Sequence, residues 1–545
     1  MSLAFNQNTG DYVIITKDRK RAEAVGLTRS TNTRGSNGED VFFTRDGYAA
    51  LPFMREADGS VGNRLGSLWT DYQASWATTS PNRYQVGQEN TVFRQNGLRD
   101  YQNAGVDYVL PRPRALIADE MGIGKSATAI AVNNACGAEK VLVVCPATIR
   151  LNWRREIKKW SNLPHVRVCP IARAADGVAN WPNYTVISYE LARNPNIHQA
   201  LRAINWDSII IDEAHFLKSH DARRTQALFG GSRAAEFHEP LIDRAKRVMA
   251  LTGTPIPNRP RECFTLSKAL NWEAIDWMDF DNFSYRFNPV ARFQNDDGKH
   301  VVKEEEGRLP ELHARLRCNF MIRRLKKDVI KELPDKQYEF AYIESDGVIS
   351  EIIKREKLID FDPARDLKNP DFAINGMIST IRREMGMAKL PRVVEHMRYL
   401  MDIEEVPKVV LFSHHRSVMD GLKEALARYG VVEWRGGMGE KARENSLAQF
   451  QSNPDIRIFS GQLDAAGFGI DGLQNVASLA VFAEPAWVPG ANNQALDRLH
   501  RIGQMFPVLG QFLVVAGSLD ERVLSAVLMK AQTIHDALDN MREAA

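Results

Sequence analysis

The sequence predicts an α/β protein in which two tandem doubly wound parallel-sheet domains follow a small α+β module. Two observations carry that expectation. Short apolar runs of strand length alternate with helical patterns twice over, first between residues 91 and 335 and again from 336 to 545. The runs also lack the strict polar alternation of half-exposed strands, as expected of parallel strands covered by helices on both faces.

Residues 1–90 are expected to hold the small module and a connector. The module reads as a strand DYVIIT, a basic helical patch DRKRAEAVG, a turn TNTRGSNGED and a second strand VFFTRDG. Residues 51–90, polar with scattered aromatics, read as the connector. The first sheet domain, 91–335, takes RALIA, KVLVVCP, YTVISY, DSIIIDE and RVMALTG as strands, with a helical insertion expected over 272–308. The second, 336–545, takes KVVLFSHH, VVEWRGG, IRIFSGQ, LAVFAEP and LGQFLVVAG, and closes on a helical segment after Gly517.

At 44% hydrophobic and 26% charged residues, the composition is that of a globular chain. Lys and Arg number 71 against 68 Asp and Glu, so any basic track is local. The five cysteines, Cys136, Cys145, Cys169, Cys263 and Cys318, form no C-x-x-C or C-x-x-H grouping, which speaks against a disulfide framework or a zinc site. No apolar stretch approaches the ~18 residues of a membrane span, and the amino terminus has no basic start before an apolar run. A cytoplasmic protein is expected, or a nuclear one in a host with a nucleus.

The stretch ALIADEMGIGKSATAIAV, residues 115–132, ends as a phosphate-binding loop does, in Gly124-Lys125-Ser126 before a small-residue helix. Yet Asp119 stands where the pattern G-x-x-x-x-G-K-[ST] has its first glycine. Gly122 and Gly124 let backbone N–H groups face phosphate oxygens while the helix dipole favours their charge. Lys125 then reaches the β and γ phosphates, and the Ser126 hydroxyl suits Mg²⁺. The competing reading is an ordinary glycine turn with a surface lysine.

A second stretch, DSIIIDEAH (207–215), is a buried strand ending in paired carboxylates. Asp212 suits the Mg²⁺ shell, and Glu213 suits orienting an attacking water. In a third, QALDRLHRIGQ (494–504), Arg498 and Arg501 are three apart and expected on one helix face. Arginine fingers contribute roughly 10³ to 10⁵ in rate where that role is established.

These three pieces, in this order, resemble the Swi/Snf type of superfamily-two helicase-like ATPases. The resemblance runs from about Leu98 to about Leu528 on LRDYQ (98–102), ADEMGIGKS (118–126), VVCPATIRLNW (143–153), VISYE (186–190) and IIIDEAH (209–215). It continues on ALTGTP (250–255), FMIRRLKKDVIKELPDK (320–336), LFSHH (411–415), AAGFGIDG (465–472) and QALDRLHRIGQ. In that family DEMGxGKS is the normal form of the loop, which removes the objection at Asp119. TGTPIPNRPRE (252–262) with its Pro257, FSHH, and VFAEPAWVPG (481–490) look closer to the annealing-helicase, HARP-type branch. The amino-terminal module is similar to a reduced HARP-type element.

The resemblance implies two RecA-like domains, ATP with Mg²⁺, and double-stranded or forked DNA bound without regard to base sequence. It implies that Asp119, Glu120, Met121, Gly122, Ile123, Gly124, Lys125 and Ser126 form the nucleotide loop, with Gln102 reading the adenine edge through a donor and an acceptor. Gly469 and Asp471 are implied at the nucleotide from the second domain. Thr148, Ser188, Ala466 and Gly467 are implied at DNA phosphates, and Thr254 is implied to couple the nucleotide site to the DNA track. Trp487 reads as a nucleic-acid contact or a packing residue. The basic runs RREIKKW (154–160) and RRLKKD (323–328) read as an electrostatic track or as solvated helix faces.

The expected function is a DNA-dependent ATPase translocating on double-stranded DNA, as a monomer, to remodel protein–DNA complexes, regress forks or anneal strands. Two other readings stand. One is a strand-separating helicase, whose wedge hairpin the insertion at 272–308 could hide. The other is a nucleotide-gated DNA-recognition subunit of a defence or repair complex. No nuclease, methylase or protease constellation is legible, and no bromodomain, chromodomain or SANT-like extension.

Overall fold

A computed structural model describes residues 2–9, 11–34, 39–56, 61–79, 95–171, 182–231, 237, 239–256, 259–294, 300–304, 307–358, 372–466, 470–486 and 489–525. The chain divides into two compact units, which change over after Val329 except that the loop residues Met121–Ile123 group with the second.

The first unit begins with four strands, β1 (Ser2–Asn6), β2 (Asp11–Thr16), β3 (Thr28–Arg34) and β4 (Asp40–Thr44), in an antiparallel sheet ordered β1-β2-β4-β3. Alternation in β2 buries Tyr12, Ile14 and Thr16 on one face. The basic patch forms the helix Arg19–Ala24, started by Asp18, whose side chain accepts from Arg21 N. Two strands were expected here and four are present. β3 occupies the first part of the expected turn, where the run TRSTNTR pairs with β4 across a register shift.

The expected connector holds the helix Gly62–Ala77, which buries Leu65, Tyr72 and Ser75. It packs on the helix Leu309–Asn319, whose Ala314 and Cys318 belong to the module's own apolar core. Polar bonds fix the junction. Asp46 Oδ2 meets Arg315 Nη2 at 2.7 Å and Arg286 Nη2 at 2.6 Å, and Arg315 Nε bonds Glu311 at 2.6 Å. Ser75 Oγ donates to Met321 O at 2.8 Å.

The main sheet of this unit comprises β5 (Arg114–Ile117), β6 (Val141–Cys145), β7 (Val168–Pro170), β8 (Tyr184–Ser188), β9 (Trp206–Asp212) and β10 (Ala245–Leu251), with β13 (Met321–Ile322) at one edge. Its order is β13-β5-β10-β9-β6-β8-β7, and every pair is parallel. The expected helical insertion contains the helix Phe280–Phe287 but also a hairpin of β11 (Val290–Gln294) and β12 (His300–Glu304).

The second unit has β14 (Lys336–Ile343), β15 (Val409–Ser413), β16 (Val431–Trp434), β17 (Ile458–Gln462), β18 (Leu479–Phe482) and β19 (Val508–Val515) in a fully parallel sheet ordered β14-β19-β18-β15-β17-β16. One apolar cluster includes Met397, Leu411 and Val481, and another includes Phe412, Phe459 and Phe482. Successive strand residues thus feed two separate cores, as a sheet covered on both faces requires.

Candidate nucleotide site

Strand register assembles the site in the first unit. Ile117 pairs with Leu251, and Leu251 with Asp212, so the segments after β5, β10 and β9 leave the sheet side by side. Cys145 pairs with Ser188, which brings the starts of the next two segments to the same edge. Ligands of open α/β sheets bind outside this carboxyl edge.

After β5 the chain turns through Gly122 at φ 80° and Gly124 at φ 88°, backbone that favours glycine, and enters the helix Lys125–Ala135. A Cβ on Gly124 would lie 2.2 Å from Gln102 Nε2. Gln102 therefore flanks the loop, while its Oε1 accepts Arg99 N at 2.8 Å and closes the first turn of the helix Asp100–Val109. Lys125 Nζ donates to Asp119 O at 2.9 Å and to Glu120 O at 3.4 Å. The ammonium thus bonds the loop's own oxygens, an arrangement phosphate oxygens can replace.

The Asp119 side chain departs from expectation. It is fully buried and turned to Arg324, whose Nε reaches Oδ1 at 2.9 Å and whose Nη2 bonds Oδ2. Arg324 also donates Nη1 to Tyr101 O, in space that a side chain on Gly105 would fill. The carboxylate shapes the loop from behind and leaves the nucleotide-facing side to the backbone.

The run RRLKKD is likewise neither a track nor a solvated face at its first residues. Ala118 N donates to Ile322 O and Glu120 N to Arg324 O, extending the β13–β5 pairing along the loop. Arg323, Arg324 and Lys326 are buried in consequence. Arg323 Nη1 donates to Ala118 O at 2.9 Å and Gly253 O at 3.3 Å, and Lys326 N donates to Glu120 Oε2 at 2.7 Å. These residues clamp the loop, a role no local pattern announced.

At the end of β9 both Asp212 oxygens are held: Trp153 Nε1 donates to Oδ2 at 2.8 Å and Glu213 N to Oδ1 at 2.9 Å. Burial, then the Glu213 charge, pushes the Asp212 carboxyl above its ordinary range, while Trp153 and the Lys125 ammonium oppose the rise. Tyr189 Oη donates to Asp212 O at 2.7 Å. Glu213 itself sits at φ 52°, a left-handed conformation that non-glycine residues adopt under strain, often at functional sites.

His215 Nδ1 lies 3.1 Å from Thr252 Oγ1 and 3.3 Å from Glu213 Oε2. Burial, then the Lys218 charge, lowers the His215 pKa to about 4, so the ring is neutral at neutral pH. Thr252 Oγ1 also accepts Thr254 N at 3.1 Å. The link from the acidic strand end to the segment holding Thr254 therefore runs through His215 and Thr252, which sequence reasoning did not single out.

Ser188 is buried and its Oγ accepts Leu191 N at 3.3 Å as the cap of the helix Tyr189–Ala192. The hydroxyl expected at DNA phosphates thus serves as a helix cap in this structure. Thr148 lies on the turn Ala147–Ile149 after β6.

In the second unit the expected common helix face for Arg498 and Arg501 is absent. The helix Pro489–Leu496 ends first, and both arginines lie in the turns that follow, where burial of Leu499 and His500 pulls the chain inward. Arg501 Nη1 meets Asp471 Oδ1 at 2.8 Å, bringing two expected site residues together. Burial would raise the Asp471 carboxyl, but Arg501 outweighs it and the pKa falls. Ala466 ends the short helix Leu463–Ala466 after β17. Gly467, Gly469, Trp487 and Pro257 lie outside the described residues.

Among the described residues no group of three His, Cys, Asp or Glu could hold a metal. A nucleotide-borne Mg²⁺ needs no such cage, because phosphates and water supply most of its ligands. The Ser126 hydroxyl and the Asp212 carboxylate, on segments that leave the same sheet edge either side of the one after β10, are of the kind that would fit such an ion. No helix among the described residues is long and apolar enough to cross a membrane.

A glycine loop opening a helix, an acidic strand end on the same carboxyl edge, and a second parallel-sheet unit define a P-loop nucleotide hydrolase of helicase type. The chain matches the SNF2-related domain over residues 101–359 and the helicase conserved C-terminal domain over 390–503, and it belongs to the SNF2-type helicase-like ATPase family.

It is similar to the Homo sapiens DNA annealing helicase and endonuclease ZRANB3, at 29% identity over 82% of this chain and 41% of that one. It is also similar to the SWI/SNF-related matrix-associated actin-dependent regulator of chromatin subfamily A-like protein 1 of Xenopus laevis, at 30% over 81% and 44%, and to its Caenorhabditis elegans homolog, at 29% over 80% and 61%. The chain spans less than two thirds of these relatives' length. Among solved structures, the Sulfolobus solfataricus SWI2/SNF2 ATPase core in complex with dsDNA aligns at 21% identity over 84% of this chain and 97% of that one, with a TM-score of 0.39.

Proposed function

We propose that the protein is a DNA-stimulated ATPase that translocates on double-stranded or forked DNA to remodel protein–DNA complexes, regress forks or anneal strands. It works as a monomer, with domains at 91–335 and 336–545, in the cytoplasm or in the nucleus of a host that has one. One observation carries this reading: the register of β5, β10 and β9 sets the Lys125 loop, Thr252–Thr254 and Asp212–Glu213 in one row. The DNA annealing helicase activity in a relative's name supports DNA as the partner.

In this reading the backbone of Gly122, Ile123, Gly124 and Ser126 cradles the ATP phosphates, and Lys125 exchanges the carbonyls of Asp119 and Glu120 for phosphate oxygens. Ser126 and Asp212 hold Mg²⁺, which when bound neutralises charge on the β and γ phosphates. Glu213 orients the attacking water. Gln102 reads the adenine edge with its amide N–H, its oxygen being engaged at Arg99 N. Arg498 and Arg501 present positive charge to the transferred phosphoryl, and Gly469 and Asp471 contact the nucleotide from the second domain. Thr148, Thr254, Ala466 and Gly467 grip DNA phosphates, which fixes position without reading bases.

The test is steady-state ATP hydrolysis with no nucleic acid, single strands, blunt duplex and forked duplex, with Lys125→Ala as control. Stimulation by duplex or fork is expected, with turnover lost in Lys125→Ala and DNA binding kept. Equal rates under all four conditions would remove the motor reading and favour the nucleotide-gated recognition subunit. Retained turnover in Lys125→Ala would remove the site.

The β11–β12 hairpin favours a second reading, strand separation, because a helicase wedge needs such an element. Displacement of a labelled strand from a tailed duplex would establish it, and deletion of the hairpin should then abolish displacement before hydrolysis.

A further inference from the structure

We infer that Trp153 is a positioning residue that ties the Asp212 carboxylate to the basic face of the helix Arg150–Trp160, so that DNA gripping that face sets how Asp212 is presented to the nucleotide. The inference rests on the function proposed above and adds the route by which DNA stimulates it.

The helix has two faces. Trp153 and Ile157, four apart, are buried at 2% and 0% exposure, whereas Arg154, Arg155, Lys158 and Lys159 are exposed. Residues of one helix turn move together, so a load on the four cations is felt at the indole. The far end is anchored to the phosphate-loop helix, where Asn134 Nδ2 donates to Trp160 O at 2.7 Å.

A buried indole N–H finds some acceptor in most proteins. Here the acceptor is an ionisable carboxylate at a strand end, 59 residues along the chain and 2.8 Å away. A charge-assisted bond of this kind is stronger than a neutral one and fixes direction as well as distance. Asp212 has one other such restraint, from Glu213 N at Oδ1. With the indole bond gone, the carboxylate can turn about that single remaining contact. The basic run that the sequence presents as a track or a solvated face thereby acquires a mechanical connection to the site.

The test compares Trp153→Phe, which keeps the aromatic packing and removes the N–H, with the wild-type chain. A melting temperature near wild type and duplex affinity within about twofold, by fluorescence anisotropy, establish folding and an intact DNA face. The expected result is a DNA-stimulated kcat lowered about tenfold or more, the change that loss of one hydrogen bond to a charged group produces, with KM for ATP little changed. The Mg²⁺ concentration for half-maximal binding of a fluorescent ATP analogue should rise severalfold. Unchanged DNA stimulation with an unchanged Mg²⁺ requirement overturns the inference.

Should Trp153→Phe not fold, hydrogen exchange on the wild-type chain decides. Duplex added without nucleotide should alter exchange in residues 209–215 as well as 150–160; a change confined to 150–160 overturns the inference. Wild-type hydrolysis that ignores DNA overturns the motor reading itself. That outcome is distinct from a DNA-stimulated enzyme indifferent to Trp153.

Discussion

Arg324 meets Asp119 across 205 residues of chain, Nε to Oδ1 at 2.9 Å, with both side chains inside the first unit. The residue that breaks the general phosphate-loop pattern is thus the residue that the end of the sheet holds in place. The same guanidinium reaches Tyr101 O, so the helix carrying Gln102, the loop and the last strand share one charged group.

A glycine at position 119 would complete the general loop pattern but leave Arg324 buried beside a missing anion. Breaking a buried pair from one side destabilises by about 3–5 kcal/mol. Asp119→Gly is therefore expected to lower the urea midpoint of the first unit and weaken binding of an ATP analogue. A variant as stable as wild type would refute the clamp.

Asp46 joins the amino-terminal module to the rest of its unit through Arg315 and Arg286. Asp46→Ala leaves Arg315, 1% exposed, with fewer anions around it. A loss on the order of 3 kcal/mol is expected, and limited proteolysis should release a fragment ending before the helix Asp100–Val109. Identical digestion of variant and wild type would show that apolar packing alone holds the module.

Thr252 Oγ1 serves both His215 and Thr254 N. Thr252→Val keeps the shape and removes the hydroxyl, taking the acceptor from the part-buried Thr254 N–H at a cost of about 1 kcal/mol. Expected is a fall of about tenfold in the DNA-stimulated kcat, with nucleotide affinity near wild type. Full activity would mean that the link is structural decoration.

Glu356 gives a pH dependence of known sign. It is buried in the second unit with Oε2 accepting Leu519 N at 2.7 Å. Burial, reinforced by Asp520 and opposed by the Leu519 N–H, pushes its carboxyl up to about 7. The folded state therefore binds this proton more tightly than the unfolded chain, and the stability it contributes is lost as pH rises from about 4.5 through 7. Glu356→Gln keeps an acceptor for Leu519 N and removes the titration. Urea midpoints at about pH 5 and pH 8 should converge in the variant relative to wild type; equal slopes in both would rule out this group as the source.

Much of this fold is legible because local pattern and burial agree. All five positions of β6, β8 and β15 are buried, and their apolar runs VLVVC, YTVIS and VVLFS are interrupted only by Thr185 and the closing Ser188 and Ser413. β14 escaped because its exposed residues, Tyr338 and Tyr342 among them, carry no such run at the sheet edge. The helix Gly62–Ala77 escaped because its polar composition conceals a narrow buried stripe.

In the site, Lys125, Asp212 and Glu213 sit inside compact motifs. Trp153, Thr252, Arg323 and Arg324 derive their roles from strand register, which sequence spacing does not encode. Arg324 reads as surface until a carboxylate 205 residues earlier is seen to meet it, and Arg323 until its bonds to Ala118 O and Gly253 O are seen.

That separation orders events during synthesis. At about 5–20 residues per second, the roughly 200 residues between Asp119 and Arg324 take about 10–40 s to emerge from a ribosome. Through that interval the nascent loop has no cation behind its carboxylate and no strand along its edge. The chain is thus unable to hold nucleotide securely until nearly the whole first unit has been made, and anything that binds the unfinished loop meanwhile competes with folding itself.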